Sequence, residues 1–375
     1  SFYPFAEVSM TPQDLLEYSV VFTDRSVNHM SHRFQACMNE LHVGLTQTYN
    51  ASSMVLVPGG GSYAMEAVAR QFGMGKRKTF LRNGWFSYRW TQIFDAIEPG
   101  YQAPVLMAQR VGEGATAPFQ PKPLAEVLEH VDTYRPDVFF APHVETSAGM
   151  GLPNDYIRSG GEAVRANGGL FVLDCVASGA LWVDMQALNV DVLVTAPQKG
   201  WSSTPSSGVV LLGDRAVERL GDIQPTSFAL DLAKWHQIMQ AYRDGGHAYH
   251  ATMPTDSLLS FADNMRETLE FGLDNCRDAQ IRIGTDVRGL LATQGFESVA
   301  AEGFQAAPVV VSFAPSSEYQ NGSIFAAKGL QIAAGVPLAV EEGPDYKSFR
   351  FGLFGLDKLR NPERTVNRLQ EAMGW

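Results

Sequence analysis

Lys199 stands alone among small residues. In Asp191-Val192-Leu193-Val194-Thr195-Ala196-Pro197-Gln198-Lys199-Gly200, an apolar run leads into a turn that holds one lysine. The hydroxyl-rich stretch Trp201-Ser202-Ser203-Thr204-Pro205-Ser206-Ser207-Gly208 follows it. Most lysines are solvated surface charges. A lysine that is desolvated or set beside another cation loses its proton more easily and becomes a nucleophile. Upstream, Gly169-Leu170-Phe171-Val172-Leu173-Asp174-Cys175 ends a second apolar run in an acid. A buried carboxylate must pair with something, because an unpaired charge in the interior is very costly. Asp174 either caps the next helix or holds a cation or a protonated ring nitrogen.

Two further segments carry polar chemistry. Pro58-Gly59-Gly60-Gly61-Ser62-Tyr63-Ala64-Met65-Glu66 follows the strand-like Met54–Val57 and opens a helical pattern. Glycines permit a tight turn, and free amides at a helix N-terminus attract an anion. Phosphate binding is one reading and a ligand-free strand-to-helix turn is the other. Gly59-x-Gly61-x-x-Ala64 satisfies the dinucleotide fingerprint in form, but Lys78 to Arg82 is basic where an acid is required. No Lys-Ser/Thr follows the glycines, so the Walker pattern fails. The fourth segment is Val138-Phe139-Phe140-Ala141-Pro142-His143-Val144-Glu145-Thr146-Ser147-Ala148-Gly149. His143-x-Glu145 matches half of a zinc deaminase signature without its Pro-Cys-x-x-Cys, so metal binding is not expected. The ordinary alternative is a set of polar residues that cap the next turn.

These segments need a frame. Short β-branched and aromatic runs at Met54–Val57, Lys78–Leu81, Val105–Met107, Val138–Ala141, Leu170–Leu173, Val192–Thr195 and Val209–Leu212 read as strands. Helical patterns alternate with them, including Asn154–Asn167, closed by Gly168-Gly169. Strand, helix, strand in succession implies right-handed crossovers and a mainly parallel sheet, with functional residues at the carboxyl ends of its strands. Leu258 to Gln280 reads as one long helix, a spine towards a smaller α+β unit. That unit comprises a strand Pro308–Phe313, a helix Ser323–Ile332, a strand Ser348–Phe351 and a helix Pro362–Met373. The expected division is an N-terminal segment 1–20, a large unit 21–256 and a small unit 257–375.

Composition narrows the function. With 29 Lys+Arg against 40 Asp+Glu, the chain carries a net charge of −11. Nucleic acid and anionic membrane surfaces both require a basic face and are excluded as partners. Three separated cysteines, Cys37, Cys175 and Cys276, form no CxxC and suit a reducing compartment. No apolar run is long enough to span a bilayer, and no signal peptide is visible. A cytoplasmic protein is expected.

Taken together, the glycine loop, His-x-Glu-Thr-Ser, strand-terminal Asp174 and Gln198-Lys199 resemble the class V aminotransferases, which are fold type I enzymes of pyridoxal 5'-phosphate (PLP). The alanine–glyoxylate and serine–pyruvate group is the most similar, from about His29 to the C-terminus. The resemblance implies a mainly parallel seven-stranded α/β sheet, with helices on both faces and a smaller C-terminal α+β domain. It implies that Lys199 carries PLP as a Schiff base and that Asp174 keeps the pyridinium nitrogen protonated. Gly61, Ser62 and Tyr63 would cradle the phosphate beside Gln198, Phe86 of Asn83-Gly84-Trp85-Phe86 would stack on the ring, and Thr146 would meet the ring hydroxyl. Tyr249-His250-Ala251-Thr252-Met253-Pro254 is similar to the segment that crosses a homodimer to the neighbour's phosphate, through Tyr249 and Thr252. Phe349-Arg350-Phe351 is similar to the segment whose arginine binds the substrate carboxylate. Arg350 suits that role because guanidinium grips a carboxylate through two parallel hydrogen bonds, although a surface charge on an edge strand is the alternative.

The implied reaction is ping-pong transamination from a small amino acid, such as alanine or serine, to a small 2-oxo acid, such as glyoxylate or pyruvate. The freed Lys199 amine would move the proton. Transamination of 2-aminoethylphosphonate with pyruvate is the rival on the same scaffold, because Gly61-Ser62-Tyr63-Ala64 also resembles that branch. A nicotinamide-dependent oxidoreductase is the rival from another class, and it leaves Lys199, Asp174 and Arg350 without a joint role. Cysteine desulfuration needs a cysteine nearer the C-terminus than Cys276. One departure stands out: Val20–Asn28 lacks the Gly-Pro-rich character of the family's pocket-lining segment, and Arg25 there is either an anion-binding group or a surface residue.

Overall fold

Seven apolar runs pair into a single sheet, and their burial explains why they are apolar throughout. The computed structural model describes residue 15, residues 18–20 and residues 27–375, so the expectation for Arg25 lies outside the described residues. The strands are β1 (Ser53–Pro58), β2 (Lys78–Arg82), β3 (Val105–Met107), β4 (Val138–Pro142), β5 (Leu170–Asp174), β6 (Val192–Thr195) and β7 (Ser207–Leu212). They lie in the order β1-β7-β6-β5-β4-β2-β3. Strands β6, β5, β4, β2 and β3 run parallel to one another, and β7 runs antiparallel to both β1 and β6. Every residue of β4, β5, β6 and β7 is buried, as expected of a sheet covered on both faces.

The helices of eight or more residues are α1 (His32–Tyr49), α2 (Gly61–Val68), α3 (Trp85–Ile97), α4 (Leu124–Tyr134), α5 (Asn154–Ala166), α6 (Leu232–Arg243), α7 (Thr255–Phe271), α8 (Leu273–Thr293) and α9 (Pro362–Met373). Their ends follow local chemistry. Ser31 caps α1 by accepting from the Phe34 amide at 3.2 Å. Pro362, at the first position of α9, already has the φ that a helix requires.

Two expected helices come out differently. The span Leu258–Gln280 belongs to two helices, α7 and α8, parted at Gly272, whose φ of 99° lies outside the helical range. The expected helix Ser323–Ile332 is a single turn, Ser323–Ala326. Gly329 adopts φ 78° and the Leu330 amide turns back to the Phe325 carbonyl at 2.9 Å, which closes the turn. The chain then forms a strand in a second sheet of β8 (Val309–Phe313), β9 (Ala333–Ala334) and β10 (Ser348–Gly352), ordered β8-β10-β9 and antiparallel.

Because β1 is antiparallel to β7, and β7 to β6, the carboxyl ends of β1, β2, β4, β5 and β6 share one edge. The glycine loop, Asn83–Phe86, His143–Thr146, Asp174 and Lys199 therefore leave the sheet on the same side. One glycine keeps α2 close to that edge. A Cβ on Gly208 of β7 would sit 2.3 Å from the Ala64 Cβ and 2.6 Å from the Gly60 carbonyl oxygen. Gly208→Ala should lower stability by about 1–3 kcal/mol through overpacking, measured by urea unfolding. An unchanged midpoint would show that this close approach is not required.

Candidate active site

Helix α2 begins at the shared edge without a side-chain cap, Gly60 being the preceding residue. The amides of its first turn have no partner within the helix and point towards any ligand seated there. Ser62 adds a hydroxyl, which accepts a hydrogen bond from Arg89 Nη1 at 2.7 Å. Tyr63 is more than half exposed, at 54 %.

Phe86 is placed by an acid far away in the chain. Glu145, fully buried after β4, accepts from the amides of Phe86 at 3.1 Å and Ser87 at 2.8 Å, and from the Ser87 hydroxyl at 2.7 Å. The Ser147 hydroxyl donates to the same carboxylate at 2.8 Å and accepts from the Trp85 amide at 2.9 Å. A carboxylate against the first amides of α3 satisfies orphan donors and opposes the positive end of the helix dipole. Glu145 thus does cap a helix, but one that precedes it in sequence. His143 pairs through Nδ1 with Ser178 Oγ at 2.7 Å, and burial pushes its imidazole down to about 4.

Two buried aspartates on adjoining segments show how structure and chemistry divide. Asp191, before β6, receives Arg165 at 2.8 Å, Arg215 at 2.9 Å and the Phe171 amide at 2.8 Å. Asp174, at the carboxyl end of β5, accepts only the Val176 amide among the described residues, at 3.0 Å. Burial pushes the Asp174 carboxyl up to about 6, against that hydrogen bond and the nearby positive charges of Arg89 and Lys199. The short local bond leaves a buried acid still in need of a cation.

Lys199 faces this acid from the turn after β6. Its Nζ lies 5.0 Å above the Phe354 ring and makes no hydrogen bond with the described residues. Burial and the Arg350 guanidinium hold the ammonium below the ordinary lysine range, while Asp174 pulls the other way. The turn is fixed by the Ser202 amide to the Lys199 carbonyl at 3.1 Å and by the Ser202 hydroxyl, which accepts from the Leu356 amide at 2.7 Å. Gln198 Oε1 is buried without a hydrogen-bond partner among the described residues.

Arg350 comes from the second sheet, between Phe349 and Phe351, both buried in that sheet's core. Its Nε donates to the Ala334 carbonyl at 2.8 Å and its guanidinium lies 5.8 Å from the Phe86 ring centre. No carboxylate pairs with it among the described residues. The structure thus gathers the elements bearing Ser62, Phe86, Asp174, Lys199 and Arg350. Thr146 is buried nearby in sequence to Glu145, and its hydroxyl makes no hydrogen bond with the described residues. Tyr249 and Thr252 form a separate group, their hydroxyls 3.4 Å apart, beside His29 and a cavity of about 120 Å³. No hydrogen bond, ion pair or ring contact among the described residues joins them to Lys199 or Asp174.

Three roles escaped the sequence reading, and that of Phe354, whose ring lies 5.0 Å from Lys199 Nζ, has no local signal. Arg89 had a visible signal, because it sits three residues after Phe86 on one helix face and its guanidinium lies 5.2 Å from that ring. Glu145 had none, since its partners are remote in sequence.

The set fits PLP on the structure's own terms. Among the described residues, the under-paired Asp174 suits a protonated ring nitrogen, the partnerless Lys199 amine suits an aldehyde, and the orphaned Gln198 oxygen and uncapped α2 suit a phosphate with its surroundings.

Comparison with known proteins agrees. The class V aminotransferase family profile matches residues 5–341. The chain is 25% identical over 362 residues to an alanine–glyoxylate aminotransferase of Felis catus, covering 92% of this chain and 82% of that protein. It is 26% identical over 280 residues to a 2-aminoethylphosphonate–pyruvate transaminase of Syntrophobacter fumaroxidans, covering 74% and 71%. A solved alanine–glyoxylate aminotransferase of Nostoc sp. shares the fold at a TM-score of 0.76 and 21% identity, over 92% of this chain and 89% of that one.

Two outcomes follow for the bare protein. The Asp174 carboxyl titrates near 6 when folded and at the ordinary 3.8 when free. The folded state therefore holds this proton more tightly, and the associated stability is full below pH 4 and lost as pH rises through 6. Cofactor-free wild type should lose about 3 kcal/mol more than Asp174→Asn across that window, measured by urea unfolding at each pH. Parallel curves for the two proteins would refute it. Glu145→Ala strands several buried donors and should cost roughly 2–5 kcal/mol in the same assay, and a loss below 1 kcal/mol would deny the cap its role.

Proposed function

We propose that this chain, which belongs to the class V aminotransferase family, moves the amino group of a small amino acid such as alanine or serine to a small 2-oxo acid such as glyoxylate or pyruvate. It is a PLP-dependent aminotransferase. The observation that carries the substrate class is Arg350, a half-buried guanidinium without an acid partner among the described residues, set near the Phe86 ring and felt electrostatically at Lys199. A carboxylate completes it through two parallel charge-assisted hydrogen bonds. The relatives named for alanine–glyoxylate transfer support the same reading.

The other roles follow from chemistry. Bound among these groups, PLP supplies an electron sink for charge that develops at the substrate Cα. The amides of Gly61, Ser62 and Tyr63, the Ser62 hydroxyl and Gln198 would hold the phosphate. Asp174 would keep a proton on the ring nitrogen, Thr146 would meet the ring hydroxyl and Phe86 would cover the ring. Lys199 is the residue that would bond to the cofactor, and its amine, once released, would take the proton from Cα. Its depressed basicity suits both tasks. The nicotinamide alternative is disfavoured by Arg82, a cation at the end of β2 where a ribose-binding acid would stand.

The full assembly is read as a homodimer in which Tyr249 and Thr252 reach the partner's phosphate. Its support is the 60 % exposure of Tyr249 and the 74 % exposure of Phe228, whose ring packs on His250. A large unit 21–256 would bind the cofactor, with residues 257–375 as the smaller unit that brings Arg350. Three buried free cysteines favour the cytoplasm. No helix among the described residues is long and apolar enough to cross a membrane.

Purified protein given PLP should develop a visible absorbance band that borohydride abolishes and Lys199→Ala lacks. A wild type that stays colourless overturns the reading. In a donor and acceptor panel, alanine or serine with glyoxylate or pyruvate should turn over, whereas activity confined to 2-aminoethylphosphonate would move the enzyme to that branch. Arg350→Lys should keep the absorbance band and raise KM for the carboxylate substrates about 10- to 100-fold. An unchanged KM would assign the carboxylate elsewhere.

A further inference from the structure

We propose that Arg89 binds the cofactor, its guanidinium supplying the fixed positive charge that meets the PLP phosphate between Ser62 and Phe86. The inference rests on the PLP reading above. Three observations carry it. Arg89 Nη1 donates to Ser62 Oγ at 2.7 Å, so the cation touches the hydroxyl at the start of α2. Its guanidinium lies 5.2 Å from the centre of the Phe86 ring, which fixes it from the other side. It forms no ion pair with an acid among the described residues, although it is only partly exposed.

A guanidinium in that state has work left to do. It carries five N–H donors, and one is committed to Ser62. Ser62 accepts through its oxygen, so its own O–H remains free to donate in turn. The two side chains together thus present a charge and several donors beside the uncapped amides of α2. That combination suits a phosphate dianion better than amides alone, because guanidinium matches phosphate geometry and never loses its proton. The need is acute in a chain of net charge −11 whose site already contains the carboxylates of Asp174 and Glu145. Arg89 is also near enough to act electrostatically on both Asp174 and Lys199.

The test uses full-length protein stripped of cofactor and titrated with PLP and, separately, with pyridoxal, which lacks the phosphate. Binding is followed by absorbance and by quenching of tryptophan fluorescence. Arg89→Gln should raise the Kd for PLP about 10- to 100-fold and leave that for pyridoxal within about 2-fold. Arg89→Lys, which keeps the charge without the fork, should recover part of the loss. Equal weakening of both ligands would make Arg89 a structural residue, and an unchanged PLP affinity would remove it from the site. In a Ser62→Ala background, Arg89→Gln should still weaken PLP. If it has no effect there, Arg89 merely orients Ser62 and the proposal fails. A wild type that binds neither ligand would sink the cofactor reading itself, an outcome distinct from any of these.

Discussion

A carboxylate with one hydrogen bond, buried at the end of a parallel strand, sets the terms for the rest of this site. Among the described residues Asp174 accepts only the Val176 amide, while Asp191, one strand further along, is saturated by two arginines and a backbone amide. The second arrangement stabilises a fold and has no further chemistry to offer. The first leaves ionisation costly until a cation arrives, since desolvation outweighs what a single N–H donor returns. Rigid strands hold it there. Because β5 is hydrogen-bonded on both sides, Asp174 cannot relax towards water to relieve the cost.

The cations around it are arranged so that they do not simply neutralise it. Lys199 approaches from the turn after β6, Arg350 from the second sheet and Arg89 from α3. None forms an ion pair with Asp174. Burial and the neighbouring guanidiniums of Arg350 and Arg89 hold the Lys199 ammonium below the ordinary lysine range, while Asp174 pulls the other way. The global charge of −11 matters little at this range, since interactions beyond about 10 Å are screened in ordinary salt. Anionic ligands are held by local groups, while the overall negative charge still keeps polyanions away.

Much of this was legible in the sequence, and the legible part has a common character. All seven strands of the main sheet match apolar runs within a residue or two, because a strand covered on both faces must be apolar along its length. The α9 helix begins at Pro362 and ends at Met373, as its proline and period indicate. Errors arose where backbone conformation overrode pattern. The amphipathic run through Gly272 looks continuous, yet a residue at φ 99° cannot sit inside a helix. The Ser323 turn stops where Gly329 reverses the chain and the next residues find a better use as a strand beside β10.

The illegible part of the site concerns who holds the functional residues in place. Phe86 is prominent in sequence because it follows Asn83-Gly84, but its position depends on Glu145, which reads as an ordinary turn-capping acid until β2 and β4 are known to be neighbours. The parallel pairing of those strands brings the loops after both to one edge, and only then does the carboxylate meet the open end of α3. Arg89 was closer to discovery, since its spacing from Phe86 needs only a helix, while its contact with Ser62 needs α2 and α3 to start side by side. Chemistry that belongs to a residue's own type is written locally. Chemistry that belongs to a pair is written only in the sheet order, and a buried acid that satisfies two amides of another element is a stronger sign of that order than any property of the acid itself.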